Sequence, residues 1–343
     1  MIKKFLFLFT VILLVSASAF SQKVDTLVHI NGNILTGEIK KLEHGLVYFS
    51  TSGMGTLHVE TEKVKSLKSN KQFQITLDNG LLYFGSLDTV ISKDNEVKIV
   101  SKSREYIIKT ISLVEVFPIK NTFWLRVSGD FSLGGNYTKS TEILQMNFSG
   151  NLYYRSRKNF YQINWDNQLT MQYDSLLTEK KANSVSYQRY FKNHYSLQLK
   201  LGASSNMELN LRSRLYLNVI GGKDIIHTNK SIFYTGLGLS GNQEVHVDST
   251  KNSDNLEGIM VVSYEFFKRT DPEINLKSLV ETYPSFTKLG RWRVDASLEA
   301  RIELFNDFYI GVKYYYNFDN SVTGEDHQVD DWGVNGTITY SFH

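Results

Sequence analysis

His194 and Ser196 stand two residues apart, the spacing that puts both side chains on one face of an extended strand. An imidazole beside a hydroxyl is the beginning of a nucleophilic hydrolase, but the sequence supplies no third residue to orient the base, no oxyanion donor and no calcium site. The eight histidines, among them His29, His44, His58, His227, His246 and His327, are scattered without metal-ligand spacing, so no metal site is expected. Acids gather at Asp248, Asp254 and Glu257 and again at Glu325, Asp326, Asp330 and Asp331. Neither group has the order of acids and glycine that a calcium loop requires, and both read as solvated loops. With no cysteine there is no disulfide, no thiolate site, no Cys nucleophile and no lipid on a processed N-terminal Cys. Phosphate-cradling and dinucleotide-binding loops are missing too, so the expectation is no cofactor and no enzyme. The net charge of +3, from 38 basic and 35 acidic residues, gives no reason to expect a nucleic-acid partner.

The remaining charge is arranged by strands. From Phe123 to the C-terminus apolar residues recur at every second position. Phe123, Leu125, Val127, Phe131 and Leu133 alternate with Arg126, Ser128, Asp130 and Ser132. Trp292, Val294, Ala296, Leu298, Ala300, Ile302 and Leu304 alternate with Arg293, Asp295, Ser297, Glu299, Arg301 and Glu303. One face suits hydrocarbon and the other water. Lipid is crossed only by helices or closed barrels, because an unpaired backbone is too costly there. The runs number twelve, at 123–137, 142–155, 159–173, 183–191, 195–204, 209–220, 231–245, 256–268, 273–284, 292–304, 308–318 and 331–342. They reach or approach the 9 to 11 residues a membrane strand needs, and their number is even, as in bacterial single-chain barrels. Arg126, Asp130, Asp166, Arg212, Arg214, Arg293, Asp295, Glu299, Arg301 and Glu303 are then expected to face the lumen, with Lys200, Glu265 and Lys313. Both signs mix, so the interior reads either as mutually compensating charge or as a weakly selective pore. Connections alternate between short turns and longer polar loops at 174–182, 247–255 and 319–330; 221–230 is long where a short turn belongs.

The chain begins with Lys3 and Lys4, an apolar stretch from Phe5 to Val15 and small residues from Ser16 to Ser21, the layout of a secretory signal cleaved after Ala19 or Ser21. Between Asp25 and Pro118 two halves resemble each other about fifty residues apart. Asn31-Gly32 followed by Gly37-Glu38-Ile39 parallels Asn79-Gly80 followed by Gly85-Ser86-Leu87. Each Asn-Gly is a hairpin signal and each later glycine a bend or bulge. The pattern fits two small SH3-like or Sm-like barrels, or one sandwich of two repeats.

Several stretches of the second part resemble a known family. Asn218 to Asp224 with Gly221, then Gly236-Leu237-Gly238 and Asn242-Gln243-Glu244, form a Gly-rich segment and a strand ending in Glu. Tyr283-Pro284-Ser285 with Gly290-Arg291-Trp292-Arg293, then Asn317-Phe318-Asp319 and Asp331-Trp332-Gly333 with Tyr340-Ser341-Phe342, complete the set. These are similar to the landmarks of the salt-induced outer membrane protein family, a bacterial group whose domain function is unknown; His343 after Phe342 departs from the usual aromatic terminus. The His194/Ser196 pair resembles that of the outer-membrane phospholipase, another twelve-stranded barrel, but the surrounding sequence differs and His194 falls on the periplasmic side.

The expectation is an all-β chain: signal peptide 1–21, a small periplasmic β domain of two repeats at 22–118, and a transmembrane antiparallel barrel of about twelve strands at 119–343 in the outer membrane of a Gram-negative bacterium. Expected partners are outer-membrane lipid, the barrel insertion machinery and a periplasmic partner for residues 22–118. Functionally the barrel reads as a passive channel for small solutes or ions, with a link to osmotic or salt response implied by the resemblance. The alternatives are a non-conducting barrel acting through its loops or periplasmic domain and, behind that, a hydrolase.

Overall fold

The computed structural model describes residues 25–342 apart from 91–94, 102–103, 120–126, 139–141, 157, 173–174, 248–251, 271, 306 and 322–328. The export segment and Arg126 lie outside these residues.

Among the described residues nine strands precede the barrel: β1 (Asp25–His29), β2 (Ile34–Glu43), β3 (Leu46–Thr51), β4 (Gly55–Glu60), β5 (Val64–Leu77), β6 (Leu82–Thr89), β7 (Glu96–Val100), β8 (Glu105–Lys109) and β9 (Leu113–Pro118). They form one sheet in the order β4-β3-β2-β1-β5-β6-β7-β8, with β9 closing onto β2 and β5. Both Asn-Gly pairs make tight turns, with Gly32 at φ 90° and Gly80 at φ 77°, where a side chain would be strained. The glycine that follows each turn lets two backbones approach: a Cβ on Gly37 would lie 2.3 Å from the Ser50 carbonyl oxygen, and one on Gly85 2.4 Å from that of Val100. The long β5 belongs to both halves, and Leu27, Ile39, Phe49, Leu67, Phe73, Ile75, Leu87, Ile99 and Val116 share one apolar core.

A closed barrel follows, running in sequence order through β10 (Val127–Thr138), β11 (Ile143–Ser156), β12 (Asn159–Gln172), β13 (Ser175–Tyr190), β14 (Tyr195–Asn206), β15 (Leu211–His227), β16 (Ser231–His246), β17 (Asn252–Lys268), β18 (Ile274–Pro284), β19 (Trp292–Phe305), β20 (Phe308–Asp319) and β21 (Asp330–Phe342). All neighbours are antiparallel. Closure pairs β10 with β21 from Gly129↔Phe342 to Leu133↔Ile338, and the hydroxyls of Ser132 and Thr339 meet there at 2.7 Å. Every strand turns apolar side chains outward, among them Leu133, Ile163, Leu201, Leu217, Leu237, Leu298 and Ile338, all exposed. In water such a belt would be unstable; in hydrocarbon it is the expected surface.

Three boundaries differ from the sequence expectation, one being the start of β17 at Asn252 inside the expected loop at 247–255. The stretch 221–230 is not a long turn, because β15 runs on to His227. Gly222 makes room for an aromatic ring: a Cβ there would lie 2.1 Å from Tyr234 Oη. Likewise β13 begins at Ser175, so most of the expected loop at 174–182 is strand.

Candidate functional site

Inward-facing polar residues from distant strands meet across the lumen. At the end of the barrel remote from the β domain, the loop at 285–291 folds back, its Ser285 N–H donating to the Arg291 carbonyl at 3.0 Å and its Arg291 N–H to the Lys288 carbonyl at 3.0 Å. This aims Arg291 into the lumen. The Arg291 guanidinium donates to both oxygens of Glu244 (2.8 and 2.9 Å) and both of Asp319 (3.1 and 2.5 Å). Arg214 Nε donates to Glu244 Oε1 at 2.7 Å and reaches Asp319 at 3.6 Å, linking β15 to β20. A second pair lies beside the first. Arg293 donates twice to Glu257 (3.1 and 2.6 Å) and sits 4.2 Å from the Tyr283 ring centre, and Asn242 donates to Glu257 at 2.8 Å. Arg291, Arg293, Glu244 and Glu257 are 3%, 4%, 0% and 0% exposed, so their charges are compensated inside the protein rather than by solvent.

Other contacts cross the lumen further round. Asn206 on β14 donates to Asp331 on β21 at 2.9 Å, and Lys180 on β13 pairs with the same carboxylate at 3.2 Å. Lys200 reaches Glu281 at 3.6 Å, and Lys313 pairs with Asp166.

Alongside this web runs a chamber of about 1280 Å³, lined by Asp130, Asp166, Arg214, Arg293, Asp295, Glu299 and Arg301, by Leu209, Leu211 and His246 toward the far end and, from the β domain, by Lys41, His44, His58, Glu115 and Phe117. The sequence therefore places most of its lumen candidates on the inner surface. Arg301 donates to Glu299 at 2.5 Å along one strand, and Glu303 accepts from the Asp307 N–H at the near rim. Arg212 departs from the expectation. A β-bulge between Leu211 and Ser213 breaks the alternation there, so Arg212 is exposed at the far rim and donates to the Val247 carbonyl at 3.0 Å. Of the family-like positions, Glu244, Arg291 and Asp319 form the cross-lumen web, Tyr283 and Arg293 pack beside it, and Asp331 makes the separate contact with Lys180 and Asn206. Pro284 ends β18, Gly221 and Gly236 are strand positions, and Phe342 closes the barrel by backbone pairing.

The β domain docks on the rim that carries Arg155, Asn193, Asn229 and Arg269. Arg155 donates to Glu115 at 2.8 Å and lies over the Phe117 ring; Arg269 Nε donates to the His44 carbonyl at 2.8 Å; Asn229 donates to the Ile111 carbonyl at 2.9 Å; and the Asn193 N–H donates to the Gly80 carbonyl at 3.2 Å. Burial opposes ionisation of Glu115, but the Arg155 guanidinium, His227 and the Thr76 hydroxyl together outweigh it and hold the carboxyl below the ordinary glutamate range. Burial pushes the His44 imidazole down, so it is neutral at pH 7.

Gly80 is the tightest point of this seat, since a Cβ there would lie 2.8 Å from Asn193 Cα and 2.7 Å from the His194 ring. Gly80→Val is expected to weaken docking by about 1–3 kcal/mol through clash and left-handed backbone strain. Limited proteolysis should then release the β domain from a barrel whose heat-modifiable gel mobility is unchanged.

One cluster escaped the sequence reading. The turn at 191–194 brings His194 to Asp224 and His227 at the end of β15. Thirty residues separate the first two, so no spacing motif could have flagged them. Both nitrogens of His194 face Asp78 or Asp224, engaged away from the buried Ser196.

No curated relative matches the chain. Among solved structures it is similar to the NanC porin (8% identity, TM-score 0.41, covering 62% of this chain and 99% of that one). It is also similar to the β domain of the Bordetella autotransporter BrkA (9%, 0.33, 63% and 98%). A third match is a loop L8 deletion mutant of OmpT, an outer membrane protein of Vibrio cholerae (10%, 0.30, 79% and 96%). The model of a family described as protein of unknown function, DUF481, matches residues 131–342, a span holding the web and all but the first residues of the closed barrel. A closed β-barrel with a charge-filled lumen, this chain belongs to the DUF481 family.

Proposed function

We propose that the protein is a non-conducting outer-membrane anchor of a Gram-negative bacterium: its barrel holds the β domain at the periplasmic face, and its lumen is closed to passive solute flow at rest. The observation that carries this reading is the web joining Arg214, Glu244, Arg291 and Asp319 across the lumen. Bidentate pairs between desolvated charges do not part for a passing ion unless both are rehydrated. Orientation rests on loop length, because bacterial barrels keep short turns on the periplasmic side, and the β domain covers the rim with the turns 191–194 and 228–230 while the loop 285–291 lies opposite. On this reading the β domain is the part that meets a periplasmic partner, lipid and the insertion machinery meet the barrel, and no residue has a catalytic role.

Single-channel recording of tag-free protein refolded into planar bilayers tests it. The expected record is silent, with insertion verified by heat-modifiable mobility of protein recovered from vesicles. Long-lived discrete conductance steps would sink the closed-lumen reading and establish the alternative, a passive channel for small solutes or ions fed by the chamber.

A further inference from the structure

The geometry points to a divalent transition-metal site, best suited to zinc, formed by His194, Asp224 and His227 at the junction of barrel and β domain. His227 Nδ1 lies 3.0 Å from Asp224 Oδ2, and His194 Nδ1 lies 4.0 Å from the same oxygen. One donor atom from each residue falls within 4.8 Å of the others, and the two imidazoles stack with centres 5.1 Å apart. Tetrahedral zinc with bonds of about 2.0–2.1 Å needs donors roughly 3.4 Å apart, so small side-chain rotations complete the set.

The second observation concerns the tautomer of His194. Its Nε2 lies 3.1 Å from the Asp78 carbonyl oxygen, which can only accept, so Nε2 carries the proton and the Nδ1 lone pair of the neutral ring is turned toward Asp224. A ligating histidine held through its other nitrogen by a backbone carbonyl is the usual outer-sphere arrangement of zinc sites. Here that carbonyl belongs to the β domain. The backbone presenting the ring is also unusual: Asn193 and His194 are both left-handed, at φ 58° and 63°, conformations disfavoured in non-glycine residues and concentrated where function over-determines them. Finally, Asp224 and His227 line the chamber, leaving a side from which an ion enters and a water takes the fourth position. Because docking of the β domain fixes one ligand, metal binding and docking strengthen each other. The inference is independent of whether the lumen conducts.

Zinc titration of the folded, tag-free, full-length mature protein by calorimetry, with cobalt(II) as a spectroscopic substitute, tests the site. The expected result is one saturable ion per chain and a cobalt spectrum of tetrahedral intensity. Asp224→Asn and His227→Ala should each weaken binding at least about tenfold, while His29→Ala, remote from the cluster, leaves it unchanged. Absence of saturable binding, or equal binding by wild type and His227→Ala, would overturn the site. If the variants fail to fold, wild type decides alone: an octahedral cobalt spectrum or non-integral, unsaturable uptake overturns the proposal.

Discussion

Replacing Arg291 with alanine is expected to destabilise the barrel by about 3–5 kcal/mol, the cost of stranding buried carboxylates without their partner. Glu244 and Asp319 would lose four hydrogen bonds between them, and Arg214 reaches Asp319 only at 3.6 Å. Urea titration in lipid vesicles, read by the heat-modifiable mobility shift, measures the loss. The triple variant Arg291→Met, Glu244→Gln, Asp319→Asn removes the charges together, and it should recover most of the stability because well-packed neutral groups often replace a buried ionic cluster at little cost. Both variants should also gain conductance. If Arg291→Ala unfolds at the wild-type urea midpoint and stays electrically silent, the web neither stabilises the barrel nor closes it.

Leu237→Arg is the second large effect. Leu237 is 66% exposed near the middle of β16 and lies beside Met260 of the next strand in the apolar belt. A guanidinium at bilayer mid-depth costs about 2–4 kcal/mol. Leu237→Ile should cost little. Wild-type stability for Leu237→Arg in vesicles would mean that this face does not contact hydrocarbon.

Much of the architecture was legible because hydrocarbon on one side of a strand and water on the other impose a period of two that little else overrides. In the run from Trp292 to Leu304, Trp292, Leu298, Ile302 and Leu304 are exposed while Arg293, Asp295, Glu299 and Arg301 line the chamber. The same rule failed at Arg212, where one extra residue in the ladder flips the parity and leaves no trace in local composition. Gly221-Gly222-Lys223-Asp224 reads as a turn by residue type, yet the deciding contact is the Tyr234 ring on the neighbouring strand. Glu244, Arg291 and Asp319 stood out as family-like landmarks, but nothing local announces that residues 47 and 28 positions apart share one guanidinium. The His194, Asp224 and His227 cluster was hidden for the same reason, its members brought together by the docking of turns.

The meeting of β10 with β21 governs the order in which the molecule can be built. Every other neighbour in the barrel is joined by a local hairpin, whereas Ser132 and Thr339 are 207 residues apart. Hairpins zip as soon as their chain is available, but the ring cannot shut before its last dozen residues exist. Until then the nascent sheet has two bare edges, each a row of unpaired amides and carbonyls that hydrocarbon will not tolerate and that a stray strand could capture. Full entry into the bilayer must therefore wait for, or coincide with, the arrival of Phe342 beside Gly129, making the C-terminal strand the timer of assembly.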